Sequence, residues 1–169
     1  VAFSDDGLTV FTSNDTISEL NDNGISQNRL DRPFDLSSDR VDFNPNATCD
    51  DLDGLAINTV SGGALTTRAQ SIDVVNNGKI FFVLDNDSRL GKFNAVNPND
   101  VDGIVYETLI DFDLIGLNDD QIKDVAFSRD GTKLYTLTNR TSGTQARQLT
   151  TFSLPGSFDI SSYTQIHQV

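Results

Sequence analysis

Hydrophobic and polar positions alternate over short distances along the chain, as they do in β-strands. In the C-terminal third, the apolar run Val125–Phe127 precedes the turn residues Ser-Arg-Asp-Gly, and a second β-prone run follows at Lys133–Leu137. Glycine supplies the positive φ that such a turn needs, and aspartate can accept hydrogen bonds from the turn's backbone. The pattern predicts a β-hairpin, followed after a polar loop by a third strand over Gln148–Leu154.

The same pattern occurs at the start of the chain, at a constant offset of 124 residues. Between Val1–Ser38 and Val125–Ser162, 13 of 38 positions are identical without a gap. The identities cluster in V-A-F-S-x-D-G and in F-D-L/I-S-S, and the second segment is predicted to close each unit. A weaker third copy over Ile72–Leu84 contains the same strand, glycine turn and strand. Its run Ile80–Leu84 is apolar on both faces, which is typical of a strand buried between sheets.

The remaining apolar runs complete an all-β pattern. No window carries a long 3.6-residue apolar period, and further strands are predicted at Ile25–Leu30, Leu55–Val60, Arg89–Asn94 and Ile104–Ile110. Repeats of about 40 to 50 residues with four short strands are typical of β-propeller blades. The predicted fold is therefore all-β, with β-propeller-like blades of four antiparallel strands. About three repeats, over residues 1–50, 51–115 and 116–169, form a single domain over 1–169.

Two strings of the sequence also resemble a known group of repeats. VAFSDDGLTVFT and VAFSRDGTKLYT, each followed by a third strand and then by PFDLSS or SFDISS, resemble the β-propeller repeats of bacterial and phage surface proteins. These repeats are akin to TolB-type and tryptophan–aspartate-repeat blades. The resemblance implies a blade architecture and a surface location, but propellers serve as enzymes, ligand binders and scaffolds alike.

The number of repeats leaves the predicted propeller incomplete. Three copies fall short of the four to eight blades that close a ring. Val1 falls inside a blade, and Tyr163–Val169 is predicted to be the first strand of a blade that does not continue. We therefore expect a partial propeller, completed by more chain or by a neighbouring subunit, because open strand edges invite aggregation. A self-contained three-bladed barrel is the alternative.

The charge of the chain limits its partners. The sequence contains 25 Asp and Glu against 12 Lys and Arg, for a formal charge of −13, and only two of the acids are Glu. Such a chain repels phosphate backbones and anionic lipid headgroups, so neither nucleic acid nor a membrane is predicted as a partner. No apolar run approaches the length of a membrane span. The predicted partners are neighbouring protein subunits and, as a second class, a glycan.

Catalytic chemistry has little support in the sequence. The single histidine, His167, lies two residues from the end, where chains fray, and the single cysteine, Cys49, is interpreted as a small buried side chain. With so many aspartates, a pair at the separation used by glycosidases carries no specificity. No phosphate-binding glycine loop is present. We predict no catalytic residues and no organic cofactor.

Calcium is the one ion for which the sequence offers ligands. Asp-rich turns that end in glycine contain the four candidate ligands Asp51, Asp53, Asp100 and Asp102. Oxygen ligands at alternating positions suit this hard cation, although no turn has the helix-loop-helix pattern with a closing Glu. The competing interpretation, which we prefer, is that Asp, Asn and Gly occur there as turn formers.

These observations predict a function of the binding class. We expect a non-enzymatic extracellular or virion-surface module that mediates subunit assembly or contacts a glycan on a host surface. The alternative is a calcium-dependent hydrolase of the glycosidase or phytase-like kind that uses Asp carboxylates. The stretch Asp51–Ile57 is similar to the Asp-x-x-Gly-Leu-Ala string of phytase-like propellers. A third possibility is an intracellular propeller scaffold for protein partners.

Overall fold

A computed structural model describes residues 1–13, 25–36, 61–65, 68–101, 104–112, 120–140 and 147–169. These residues are all-β and contain no helix long and apolar enough to cross a membrane. The strands are β1 (Ala2–Phe3), β2 (Thr9–Ser13), β3 (Ile25–Arg29), β4 (Ala69–Val75), β5 (Ile80–Asp85), β6 (Arg89–Asn94), β7 (Val105–Asp111), β8 (Asp120–Phe127), β9 (Lys133–Arg140), β10 (Arg147–Ser153) and β11 (Thr164–Gln168). The predicted strand at Leu55–Val60 lies outside the described residues.

The strands form three antiparallel sheets in which chain neighbours pair. Sheet I has the order β1-β2-β3, sheet II the order β4-β5-β6-β7, and sheet III the order β8-β9-β10-β11. Within the described residues these sheets do not close into a propeller. The predicted strands at Arg89–Asn94 and over Gln148–Leu154 are present, the second of them displaced by one residue.

The last strand corrects one prediction about the repeat. Tyr163–Val169 does not start a further unit, because β11 pairs antiparallel with β10 as the fourth and outermost strand of sheet III. Backbone hydrogen bonds of 2.8 and 3.0 Å between Leu149 and Val169 continue that ladder. The F-D-I-S-S segment therefore does not close the unit, since it lies in the turn that leads into the fourth strand.

Both predicted hairpins are present, and their turns depend on a serine and an aspartate. In the first hairpin, Ser4 Oγ donates to Asp6 Oδ1 at 2.6 Å, and the Leu8 amide donates to the same oxygen at 3.0 Å. Gly7 has a φ of 69°, and its amide donates to the Ser4 carbonyl at 2.8 Å. The Ser, Asp and Gly that the two strings share thus each have a specific place in the turn.

The turn of sheet III makes the same contacts 124 residues later. Ser128 Oγ donates to Asp130 Oδ1 at 2.6 Å, and the Thr132 amide donates to that oxygen at 3.1 Å. Gly131 has a φ of 70°, and its carbonyl accepts from the Phe158 amide at 2.8 Å, as the Gly7 carbonyl accepts from Phe34. The first and last sheets therefore share both the hairpin and the aromatic residue that packs on its glycine.

Each sheet has two faces that the turn glycine identifies. Side chains alternate between the faces of a strand. We call one of them the front face. It carries the side chain four positions after the turn glycine, which is Phe11 in sheet I, Phe82 in sheet II and Tyr135 in sheet III. The rear face has the residue three positions after it, namely Val10, Phe81 and Leu134.

The front face of sheet I packs on the rear face of sheet II. Phe11 and Ile25 from sheet I are fully buried in one cluster with residues of sheet II, among them Phe81 and Phe93. The rings of Phe11 and Phe81 meet edge to face, with centroids 5.2 Å apart. Ser13 Oγ also donates to the Gln70 carbonyl at 3.0 Å.

The front face of sheet II packs in the same way on the rear face of sheet III. The ring of Phe82 stacks on that of Phe127 with centroids 3.9 Å apart, and Phe127 in turn contacts Phe158. The surrounding cluster contains Leu84 from sheet II and Leu134 from sheet III. Strand β5 is consequently buried at all six positions, which confirms the prediction for Ile80–Leu84.

Candidate functional site

A cleft of about 720 Å³ lies between sheets II and III, at the end where the hairpin turns are. The turns supply hydrogen-bonding side chains of three kinds. The carboxylates, amides and guanidinium that line the cleft are those of Asp5, Asp73, Asp130, Asn76, Asn77 and Arg129. Its apolar lining consists of Phe127, Phe158, Val74 and Val75. The cleft thus offers donors, acceptors and ring surface to a polar ligand.

Asp73 is the most buried carboxylate of this cleft. It lies on the front face of β4, where its Oδ2 accepts a hydrogen bond from the Phe127 amide of sheet III at 2.9 Å. Burial raises the pKa of Asp73 and the nearby Asp124 raises it further, while the amides of Phe127 and Val74 and the terminal amino group act in the opposite direction. Burial has the largest effect, so the carboxyl holds its proton to a higher pH than in the unfolded chain.

Replacing Asp73 with asparagine is expected to make the protein relatively more stable as the pH rises. Because the folded-state pKa of Asp73 is raised, the wild type loses stability as the pH rises through that pKa, whereas asparagine does not titrate. The asparagine oxygen can still accept from the Phe127 amide. Urea denaturation of both proteins between pH 3 and pH 7 measures the difference. A difference that stays constant over this range would show that the carboxyl titrates alike in both states.

A second polar contact joins the two sheets beside this cleft. Ser71 Oγ of β4 donates to Asp124 Oδ1 of β8 at 2.5 Å, and the same oxygen accepts from the Val125 amide at 3.0 Å. Two carboxylates thus join strands β4 and β8. Asp73 of β4 accepts a hydrogen bond from β8, and Asp124 of β8 accepts one from β4. These contacts fix the register of sheet II against sheet III.

The carboxylates of the turns are held in the ionised form. Hydrogen bonds from the Ser128 hydroxyl, and then from the Thr132 amide and hydroxyl, lower the pKa of Asp130 to about 2. The Ser4 hydroxyl and the Leu8 amide likewise lower the pKa of Asp6. Asp130 lines the cleft, whereas Asp6 lies in the turn of sheet I and is not part of the lining. At neutral pH Asp130 therefore presents a fixed negative charge at the cleft.

The calcium ligands predicted from the sequence are mostly outside the described residues. This holds for Asp51, Asp53 and Asp102, so their placement relative to Asp100 is not described. Asp100 lies in the turn after β6, where its Oδ2 accepts from Asn97 Nδ2 at 3.2 Å. Within the described ranges, no three His, Cys, Asp or Glu side chains are arranged to hold a metal ion.

The two remaining candidates have different outcomes. His167 lies in strand β11, opposite Thr151 of β10, with an exposed side chain. Cys49 is outside the described residues. Sequence reasoning did not single out Asp73, although one signal was available: it is a charged residue flanked by the apolar residues Ile72 and Val74, shortly before a predicted hairpin turn.

The two outer faces of the stack are the other candidate surfaces. On the front face of sheet III, Leu137 and Leu149 lie opposite each other on neighbouring strands and are each 43% exposed. In the turn segment after β3 of sheet I, Phe34 and Leu36 are 61% and 66% exposed, whereas Val10 on the rear face is only 5% exposed. Apolar side chains grouped at an exposed sheet face are typical of interaction surfaces.

Comparison with known protein families and with curated proteins finds no match to this chain. The cleft between sheets II and III and the two outer faces are therefore the features on which a function can be argued. The cleft is polar and charged, whereas Leu137, Leu149, Phe34 and Leu36 expose apolar side chains. Of these features, the outer faces have direct counterparts in the interior of the same molecule.

Proposed function

We propose that the chain is a non-catalytic structural and binding module of propeller-type blades, which contacts neighbouring protein subunits through its outer sheet faces. The observation that carries this proposal is the exposure of Leu137 and Leu149 on the front face of sheet III, together with that of Phe34 and Leu36 after β3. Leu149 at the front of sheet III occupies the position of Ile25 in sheet I, which is fully buried against sheet II. A face of this kind favours burial against another sheet.

Covering these apolar side chains by association would lower the free energy of the protein. Full burial of a leucine or phenylalanine side chain contributes roughly 1.5 to 3 kcal/mol relative to exposure. The four residues Phe34, Leu36, Leu137 and Leu149 are between about two-fifths and two-thirds exposed, so much of this gain is still available. Association through either face would recover it. Among the described strands, β11 is an edge strand of sheet III, and such an edge offers backbone groups with which a neighbour can pair.

We place this module outside the cell or on a virion, on the basis of the resemblance to bacterial and phage surface repeats. The net charge of −13 suits a protein that stays soluble and avoids nucleic acid and anionic membranes. Contact with a glycan is the second part of this proposal. The cleft, with its carboxylates, amides and exposed ring atoms, is the described surface that suits a polyhydroxylated ligand.

The native mass of the purified chain tests the subunit contact. We expect a defined oligomer by light scattering at 0.15 M salt, where the repulsion between acidic chains is screened. The same measurement with calcium added separates assembly from metal binding, and we expect the same mass in both. A cooperatively melting monomer near 18.5 kDa would contradict the proposal.

The hydrolase alternative has its own distinguishing result. Turnover of a glycoside or a phosphomonoester by the purified chain, lost when one aspartate is replaced, would overturn the non-catalytic assignment. Asp73 and Asp100 are the aspartates to replace first, because one is the half-buried carboxylate of the cleft and the other is the described member of the calcium set. We expect no turnover with either substrate class.

A further inference from the structure

We propose that the cleft between sheets II and III binds a neutral sugar residue, and that the turn residues Asp5, Asn76 and Arg129 select the sugar. This inference rests on the glycan part of the proposed function, and it names the ligand class and the residues that recognise it. The cleft has a volume of about 720 Å³, which lies within the range of small-molecule sites, about 300 to 1,000 Å³.

The three selecting residues occupy the same position in three different turns. Each lies two residues before the turn glycine, which is Gly7 in sheet I, Gly78 in sheet II and Gly131 in sheet III. All three line the cleft, and all three are exposed. Each sheet therefore contributes one equivalent side chain to the same cleft.

The neighbours of this position hold the turn together, whereas the position itself does not. In sheet I, Ser4 Oγ donates to Asp6 Oδ1, which also accepts from the backbone, and Ser128 and Asp130 make the same contacts in sheet III. The side chain between the serine and the aspartate takes no part in these hydrogen bonds. Its chemical type can therefore differ from turn to turn without loss of the turn, as is typical of binding residues on a rigid scaffold.

The turn of sheet II brings two amides to the cleft through an unusual backbone. Asn76 and Asn77 have φ values of 53° and 55°. In the turns Ser4–Gly7 and Ser128–Gly131, only the glycine has a positive φ. Asparagine adopts this left-handed conformation at some energetic cost, and such residues cluster at binding sites. The sequence thus keeps two amides in the cleft where glycine would fit the backbone better.

A sugar needs the combination of groups that this cleft contains. Its hydroxyls both donate and accept hydrogen bonds, and its ring carries apolar C–H groups. The carboxylates of Asp5 and Asp73 can accept, the Arg129 guanidinium can donate, and the amides can do both. The half-buried ring of Phe127 offers an apolar surface for the C–H groups.

The charges of the cleft favour a neutral sugar over a charged one. Among the described residues, three carboxylates and one guanidinium line the cleft. The pKa of Asp130 is lowered to about 2, so its carboxylate is charged at neutral pH. An acidic sugar would be repelled by these carboxylates and by the net charge of −13. A cationic sugar would in turn place a like charge beside Arg129.

Saturation-transfer NMR with free saccharides tests the ligand class. The neutral probes are methyl glucoside, methyl galactoside, methyl mannoside and lactose, the acidic probe is sialyllactose, and the cationic probe is glucosamine. We expect at least one neutral probe to bind with a Kd of about 1 mM, and the charged probes to bind at least roughly 10-fold more weakly. The proposal fails if no neutral probe binds at about 10 mM, or if a charged probe binds more tightly than every neutral one.

Three substitutions connect this binding to the turn position. Asp5→Ala, Asn76→Gly and Arg129→Ala each remove one polar group, and glycine suits the left-handed backbone of Asn76. Each is expected to weaken binding of the neutral probe roughly 10-fold, about the contribution of one hydrogen bond. Arg147→Ala, at the start of β10, is the matched control and is expected to leave binding unchanged. Binding that none of the three substitutions weakens would contradict a site in the cleft.

Light scattering on the same samples separates this inference from the proposed function. An oligomer that binds no neutral probe contradicts the sugar site and leaves subunit contact in place. A monomer whose sugar binding depends on the three turn residues contradicts subunit contact and leaves the sugar site in place. The variants are expected to keep the wild-type mass and melting curve, because the replaced side chains are exposed and lie in turns.

Discussion

Replacing Phe82 with alanine is expected to lower the free energy of unfolding by about 4 kcal/mol. The side chain is fully buried on the front face of sheet II and stacks on Phe127 of sheet III, so alanine leaves a cavity at the centre of the second interface. Losses of about 3 to 5 kcal/mol are usual for such a change. Urea denaturation followed by far-ultraviolet circular dichroism measures it.

Tyr135→Ala is the matched control for this substitution. Tyr135 occupies the position of Phe82 in its own sheet, but its face is an outer one and its side chain is half-buried. We expect a loss of about 1 kcal/mol when the chain is diluted until it is monomeric. Equal losses for the two substitutions would show that the front face of sheet II is no better packed than the free front face of sheet III.

Gly78→Ala is expected to cost about 3 kcal/mol of unfolding free energy. Gly78 has a φ of 75°, and a Cβ there would lie 2.5 Å from the Asn99 backbone nitrogen. A left-handed conformation costs an alanine about 1 to 2 kcal/mol, and overpacking costs about 1 to 3 kcal/mol more. The Asn99 amide donates to the Gly78 carbonyl at 2.9 Å, so moving that segment away would break this hydrogen bond.

Two further glycines separate the two costs of this change. Gly62 has a φ of 63° with no atom near its Cβ position, so Gly62→Ala reports the backbone cost alone, about 1 kcal/mol. Gly156 does not have a positive φ, and a Cβ there would lie 3.7 Å from its nearest neighbour, the Asp159 Cβ. We therefore expect Gly156→Ala to lower the free energy of unfolding by less than about 0.5 kcal/mol. Thermal or urea unfolding of the three variants ranks them. A Gly78→Ala loss no larger than that of Gly62→Ala would contradict the close approach of Asn99.

The local features of this fold could be predicted from the sequence because each depends on neighbouring residues. Ser4, Asp6 and Gly7 form a turn through contacts within five residues, and the same letters at Ser128, Asp130 and Gly131 form it again. The apolar run of β5 indicated burial on both faces for the same reason. A motif that satisfies its own hydrogen bonds is visible in the sequence.

The pairing of β11 could not be predicted in this way. The alternation of side chains in Tyr163–Val169 identifies a strand, but it does not say whether that strand pairs with the one before it or starts another sheet. The role of Asp73 is similar, because its partner, the Phe127 amide, is 54 residues away. Contacts of this range depend on how the sheets stack, and the spacing of residues in the chain does not encode that.

The local pairing of the strands has a consequence for how the chain folds. Every pairing among the described strands joins consecutive strands, so each sheet is a meander of hairpins. Hairpins of this kind form within about 1 to 10 μs, so each sheet can form before it docks on its neighbour. Docking at Phe82 and Phe127 then becomes the slow, long-range step. We therefore expect the sheets to dock one after another. In the folding transition state, the contacts between sheets are expected to be only partly formed.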